Sequence, residues 1–145
     1  MAVLIDNQQS RHRIPTERIR REAKAILNAL GNPDDELSIV FVDDDRITEL
    51  NRTYLHREGP TNVISFPMLE GDFPHLTPQL LGDVVISVDT AFREAESVQI
   101  STTQRLTELL VHGVLHLYGY DHEREGSDAA AMEELVSRCD AVIHL

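Results

Sequence analysis

Three histidines lie close together between His112 and His122, and their spacing is typical of a metal site. His112 and His116 are four residues apart, so on an α-helix their imidazoles lie on one face about one turn apart. Gly119 can take the positive φ at which helices end, and the chain can then turn back to bring His122 to the same point. Three neutral nitrogens around one open position indicate a catalytic zinc site. Nickel is the alternative metal, because imidazole binds both ions.

Gly113 separates this stretch from the zinc proteases that share its histidine spacing. In those enzymes the residue after the first histidine is the glutamate that acts as general base. Glycine can neither take nor donate a proton at that position. Peptide hydrolysis would need a base from elsewhere in the chain, so a small metalloprotease is an alternative rather than the leading hypothesis.

The helix that carries the first two histidines is predicted from its start signal and its periodicity. Ser101–Gln104 has the form of a capping box, so the helix begins there. Apolar residues then recur at helical spacing and predict the face that packs on the core. That face consists of Leu106, Leu109, Leu110, Val114 and Leu117.

The remaining elements are shorter and alternate between strand and helix. Strands are predicted at residues 3–5, 37–42, 62–66 and 83–88, and helices at about 16–30, 90–98 and 127–142. Glycine and proline between residues 70 and 80 predict an irregular loop. Without regular βαβ repeats, this order predicts one α+β domain over residues 1–145, a roughly four-stranded mixed sheet with helices packed around it.

An acidic run, Asp43–Asp45, precedes one more helix. We expect it to cap that helix, because acidic side chains are stabilised at the positive end of a helix dipole. A cation site is the alternative, but no further carboxylate or glycine follows at the spacing of a calcium loop. The buried stripe of this helix is predicted to be Ile47, Leu50 and Tyr54.

The composition predicts a cytoplasmic protein. No run approaches the roughly twenty apolar residues that cross a bilayer, and the first residues are too short for the core of a signal peptide. The single cysteine, Cys139, cannot form an internal disulfide, which agrees with a reducing compartment, and we expect it to be buried on the last helix. We therefore expect no membrane partner.

The net charge of −12 argues against a protein that coats nucleic acid through a general positive field. The charge is uneven, however, because six of the thirteen basic residues lie in the first 31 positions and only three acidic residues oppose them there. These basic residues are Arg11, Arg13, Arg18, Arg20, Arg21 and Lys24. They form either a patch that meets a polyanion or an ordinary solvated helix face, and the sequence leaves both open.

Three segments together resemble a known family. The stretch His112–His122 resembles the signature of the YbeY family, bacterial metal-dependent endoribonucleases that take part in ribosomal RNA maturation and ribosome quality control. Pro60–Pro67 and Leu81–Ser87 resemble two further strands of that family, in the same order and at matching separations. The histidine signature is specific and the two strands are supportive.

The resemblance implies a function and a set of partners. It implies that His112, His116 and His122 bind one zinc ion, on a helix related to that of zinc proteases. It also implies a single-strand-specific endoribonuclease whose partners are single-stranded or ribosomal RNA, together with the ribosome or ribosomal proteins. A metal lowers the pKa of a bound water and polarises a phosphoryl oxygen, so a metal-bound water or hydroxide would be the reactive group and a missing carboxylate base is tolerable.

One family position departs from the pattern. Many members carry an active-site arginine six residues before the threonine of the Pro-Thr motif, where this chain has Leu55. Arg57, two residues further on, can stabilise added negative charge on a phosphate, or it is an ordinary exposed loop residue. His56 between them is a second substitute.

The other candidate site residues each have two interpretations. Asp121 either orients a histidine ligand or is a turn residue before His122. Thr61, Asn62 and Ser65 either contact the substrate or satisfy backbone groups at a strand end. A further hypothesis is a ribosome assembly factor that acts mainly by binding, with a metal that is mostly structural. In the enzyme, metal content and activity are expected to fall together as the ligands protonate at low pH.

Overall fold

Four strands and five helices form in the parts of the chain that the structure, a computed structural model, describes, which are residues 3–68, 80–119 and 127–143. The strands are β1 (Val3–Asn7), β2 (Glu36–Val42), β3 (Val63–Pro67) and β4 (Leu80–Ser87). The helices are α1 (Thr16–Ala29), α2 (Asp44–Leu55), α3 (Val88–Val98), α4 (Thr102–Leu117) and α5 (Ser127–Ile143). Among these helices none is both long and apolar enough to cross a membrane.

The strands form one mixed sheet in the order β1-β2-β4-β3. β1, β2 and β4 are parallel neighbours, and β3 runs antiparallel to β4 at the sheet edge, with Ser65 opposite Val84. Pro67 ends β3, which is compatible with an edge strand because proline cannot donate to a central ladder. The predicted α+β class with a four-stranded mixed sheet is confirmed.

The main core lies between one face of the sheet and the helices α1, α3, α4 and α5. Alternate residues of β2 and β4 point into it, including Phe41 and Ile86, which are fully buried. Leu110 of α4 packs into the same cluster, as does Cys139 of α5, whose burial was predicted. A helix that is apolar along one stripe must bury that stripe against another layer, and here the sheet provides it.

α2 packs on the opposite face of the sheet in a smaller cluster. Its buried anchor is Ile47, which contacts Ile64 and Val85 of the edge pair. The prediction that Tyr54 is buried is wrong, since 61% of it is exposed. Tyr54 lies in the last turn of α2 and pairs edge-on with Phe66, at 5.4 Å between ring centroids.

The acidic run before α2 caps the helix, as predicted. The Asp43 carboxylate accepts a hydrogen bond from the Arg46 backbone N–H at 2.9 Å. Asp44 accepts from the Ser87 and Thr90 hydroxyls at 2.7 and 2.6 Å and from Arg93 at 2.6 Å. Through these three donors Asp44 connects the start of α2 to the first turns of α3. The predicted loop from Glu70 to Leu80 lies outside the described residues except for Leu80, which begins β4.

Candidate metal centre and the contacts that position it

α4 carries two of the three predicted ligands one turn apart. The Ser101 hydroxyl caps it by accepting from the Gln104 N–H at 3.0 Å, which confirms the predicted start. Leu110 and Val114 of the apolar stripe are buried, while His112 is partly exposed and His116 is exposed. The arrangement leaves His116 open to solvent and therefore to a ligand.

The end of α4 confirms the role expected of the glycine in the signature. Gly119 has φ +93°, and its N–H donates to the His116 carbonyl at 3.0 Å. A residue with a side chain rarely adopts this conformation, so the glycine permits the helix to end here. The chain beyond this turn, with His122 and Asp121, lies outside the described residues.

Gly113 is the point of closest approach between α4 and the sheet. A Cβ atom at this position would lie 2.6 Å from a methyl carbon of Val84 and 3.3 Å from one of Val63. Side chains do not pack at 2.6 Å, so only glycine fits without displacing the buried Val84 side chain. The glutamate that follows the first histidine in proteases therefore has no room here, and the missing base has a steric reason.

Ser65 joins the edge strand to the helix backbone between the two histidines. Its hydroxyl donates to the Gly113 carbonyl at 2.8 Å. That carbonyl belongs to a buried residue on the side of α4 that faces β3. The bond favours the interpretation of Ser65 as a residue that satisfies a backbone group. It also joins β3 to α4 at a point between the two histidines.

Asn62 takes part in a polar bridge that reaches α4. Its amide donates to both oxygens of Glu94 on α3, at 3.2 and 3.3 Å, and Glu94 also accepts from Arg105 of α4 at 3.0 Å. Burial alone would lower the pKa of Arg105, but hydrogen bonds to Glu108 and Glu94 raise it, so the guanidinium stays charged. Sequence reasoning missed Glu94 and Arg105, because no local pattern connects Glu94 to Asn62, 32 positions away, or to Arg105 on the next helix.

Tyr118 anchors the last turn of α4 to the loop before β2. Its hydroxyl donates to the Asp35 carboxylate at 2.8 Å. Burial, followed by the hydrogen bond and the charge of Asp35, raises the pKa of Tyr118 well above its usual value of 10.0. The phenol therefore remains a neutral donor, and it holds the helix end from which the rest of the signature departs.

Arg57 lies on the exposed loop between α2 and β3. Its backbone N–H donates to the Asn51 carbonyl at 3.2 Å, and among the described residues its side chain forms no ion pair. Leu55, where the family pattern has an arginine, is the last residue of α2 and is 43% exposed. Thr61 is partly buried just before β3.

The basic residues near the beginning of the chain are partly neutralised. Arg11 pairs with Asp89 at 3.3 Å, Arg18 pairs with Glu22 at 3.4 Å, and Arg20 pairs with Glu17. These pairs favour the interpretation of the run as a solvated helix face with local partners.

A comparison with known proteins decides the family. Residues 4–141 match the family model described as Endoribonuclease YbeY. The chain belongs to the YbeY family. Proteins named Endoribonuclease YbeY from Geobacter metallireducens and Geobacter sulfurreducens are each 54% identical to it, covering 95% of this chain and 92% of theirs. A Thermotoga maritima protein with a known solution structure is 21% identical with a TM-score of 0.61, covers 96% of this chain and 89% of its own, and supports the fold.

The described part of this YbeY-family site fits a metal as far as it extends. Two imidazoles one turn apart on a helix supply two adjacent ligands of a tetrahedral sphere. Residues 3–68, 80–119 and 127–143 contain no group of three side chains placed to hold a metal. His122, the third ligand that the sequence predicts, lies outside these residues.

Proposed function

We propose that this chain is a single-strand-specific, metal-dependent endoribonuclease that acts in ribosomal RNA maturation and ribosome quality control. The observation that carries the proposal is the pair His112 and His116 on one face of α4, in a chain whose relatives are named Endoribonuclease YbeY. Its partners are then single-stranded or ribosomal RNA and the ribosome or ribosomal proteins, and its location is the cytoplasm.

The proposed metal is one zinc ion, with nickel as the alternative, held by His112, His116 and His122. When bound, zinc acidifies a coordinated water and withdraws charge from a phosphoryl oxygen. The protein keeps the two helical imidazoles in register through the close contact at Gly113 and the hydrogen bond from Ser65. Asp121 is proposed to orient one of the imidazoles through its second ring nitrogen.

Arg57 is proposed to bind the phosphate. A guanidinium presents several N–H donors that match phosphate oxygens and can stabilise the extra negative charge of the transition state. Its side chain is exposed and forms no ion pair with the described residues, so it is available to a polyanion. Thr61 is proposed to contact the substrate, whereas the hydrogen bonds of Asn62 and Ser65 favour positioning roles for these two residues.

The test compares cleavage of an unstructured RNA by the wild-type protein, His116→Ala and a control, His144→Ala, whose histidine lies outside the signature. We expect the His116 variant to lose cleavage and bound metal while the control keeps both. A duplex of the same sequence should resist cleavage. Equal cleavage by the wild type and His116→Ala would refute the enzyme proposal and point to a contaminating nuclease.

One further outcome would favour the assembly-factor hypothesis. A folded His116→Ala protein that restores normal ribosomal RNA ends in cells lacking the wild-type protein would mean that binding, rather than cleavage, is the main function.

A further inference from the structure

Asn51 is a buried polar residue whose hydrogen bonds are incomplete. It lies on α2, and only 4% of it is exposed. Its side-chain nitrogen donates to the Gly59 carbonyl at 2.9 Å, but its side-chain oxygen has no hydrogen-bond partner among the described residues. An unsatisfied buried carbonyl costs stability, so an apolar side chain would be the more stabilising choice if packing were the only requirement.

The loop between α2 and β3 is built around this one residue. The backbone carbonyl of Asn51 accepts from the N–H groups of both His56 and Arg57, and its side chain holds Gly59. His56 is at φ 56° and Gly59 at φ 83°, so the chain turns through the left-handed region on each side of Arg57. Asn51 thus fixes the backbone before, at and after Arg57.

We infer that Asn51 is a positioning residue for RNA cleavage, which acts by holding Arg57 where it meets a phosphate of the substrate. The inference rests on the proposed endoribonuclease function. The side chain of Arg57 is long and exposed, so only the fixed backbone beneath it limits where its guanidinium can reach. Because Asn51 is buried, it acts through the loop and does not touch RNA.

A double-mutant cycle tests the coupling. Asn51→Ala removes the bond to Gly59 and is expected to lower kcat/KM by up to about 100-fold, the order of loss that misplacing a catalytic group by about 1 Å produces. Arg57→Ala should lower kcat/KM at least as much, and the double variant should be no worse than Arg57→Ala alone, since an unanchored loop no longer matters once the arginine is gone. Losses that multiply in the double variant would overturn the inference.

The salt dependence of cleavage separates positioning from general destabilisation. Each phosphate contact contributes about 0.7 to the slope of log affinity against log salt for a single strand. We expect the slope of log kcat/KM to flatten by about this amount in both Asn51→Ala and Arg57→Ala. Asn28→Ala, an exposed helical asparagine on α1, is the control and should leave the slope unchanged. An unchanged slope in a folded Asn51→Ala protein would contradict the inference.

A second variant changes the same loop without touching the buried side chain. At Gly59, φ +83°, an added Cβ would meet no atom within 4 Å, so Gly59→Ala strains only the loop backbone. Gly31 has φ +84° and equally open surroundings in the loop after α1, so Gly31→Ala carries matched strain elsewhere. Gly59→Ala should reduce kcat/KM and flatten the salt slope, and Gly31→Ala should do neither; equal effects would refute the inference.

Failure of the inference and failure of the proposed function give different results. If the endoribonuclease proposal is wrong, cleavage by the preparation does not depend on His116. If only the positioning role is wrong, His116 is required, but Asn51→Ala and Gly59→Ala cleave like their controls or fail additively with Arg57→Ala.

Discussion

Replacing Gly113 with alanine should destabilise the protein, although the same change stabilises an ordinary helix. Alanine is favoured over glycine by about 1 kcal/mol within a helix. Here the added methyl would lie 2.6 Å from a methyl carbon of Val84, a fully buried core residue. Overpacking costs about 1–3 kcal/mol, and a 2.6 Å contact with a buried side chain belongs to the upper part of that range. After the gain of about 1 kcal/mol in helix propensity, we expect a net loss of about 1–2 kcal/mol in the free energy of unfolding.

The assay is equilibrium urea unfolding of the metal-free protein, followed by circular dichroism. Val84→Ala alone should cost about 2 kcal/mol through the cavity it leaves, but it makes room for the new methyl. The two changes together should therefore cost at least about 1 kcal/mol less than the sum of the single changes. Val63→Ala is the graded control, since its 3.3 Å contact predicts a smaller rescue.

Gly113→Glu, which recreates the protease pattern, should be worse than Gly113→Ala, because it forces a carboxylate against the buried face of the sheet. It should therefore gain no peptidase activity on a peptide library. The reasoning would be refuted if Gly113→Ala matched or exceeded the wild-type stability, or if Val84→Ala gave no rescue.

Three further predictions concern pH. Burial alone would raise the pKa of Asp44, but hydrogen bonds from Thr90, Arg93 and Ser87 hold it below its usual 3.8. The stability that this carboxylate contributes is therefore present above pH 3.8 and is lost as the pH falls through the folded-state pKa. Asp44→Asn should thus cost about 1.5–3 kcal/mol at neutral pH, and the gap in urea midpoints should close in acid; a gap that is constant with pH would contradict this. The pKa of Tyr118 is raised, so its contribution to the free energy of unfolding is complete below pH 10.0 and decreases above it. Tyr118→Phe should lower the free energy of unfolding by about 1–2 kcal/mol at neutral pH and should match the wild type in alkali. A stability difference that persists in alkali would argue against the bond to Asp35. Metal content and RNA cleavage should fall together as imidazoles take up protons, and metal retained at about pH 4 would refute histidine ligation.

Local patterns predicted the helix that bears the histidines, because its start and end depend on neighbours in sequence. Ser101 caps α4 as a capping box requires, and Gly119 takes the positive φ at its end. The same holds for Asp43 at the start of α2. Each feature needs only residues within one turn of it.

Contacts between distant segments were beyond such reasoning. From the sequence, Gly113 indicated only that the protease base is missing. Nothing in the sequence shows that a Cβ atom at Gly113 would lie 2.6 Å from a methyl carbon of Val84. Tyr54 has helical spacing for a buried stripe, yet it is 61% exposed, because periodicity alone does not show how far the neighbouring layer extends. Asn51 gave no signal at all, because a buried asparagine resembles an exposed one until the loop around it is seen.

Gly113 also limits where a catalytic base can be found. In a protease the residue after the first histidine is the base, so the helix must leave room for its side chain. Here the same position lies against β3 and β4, so α4 packs close to the edge strand. This contact and the hydrogen bond from Ser65 position the helix segment that carries the two histidines. If the reaction uses a side-chain base in addition to a metal-bound water, that base must come from a position other than 113. Variants of the loop anchored by Asn51 and of the segment beyond Gly119 test whether either one supplies that base.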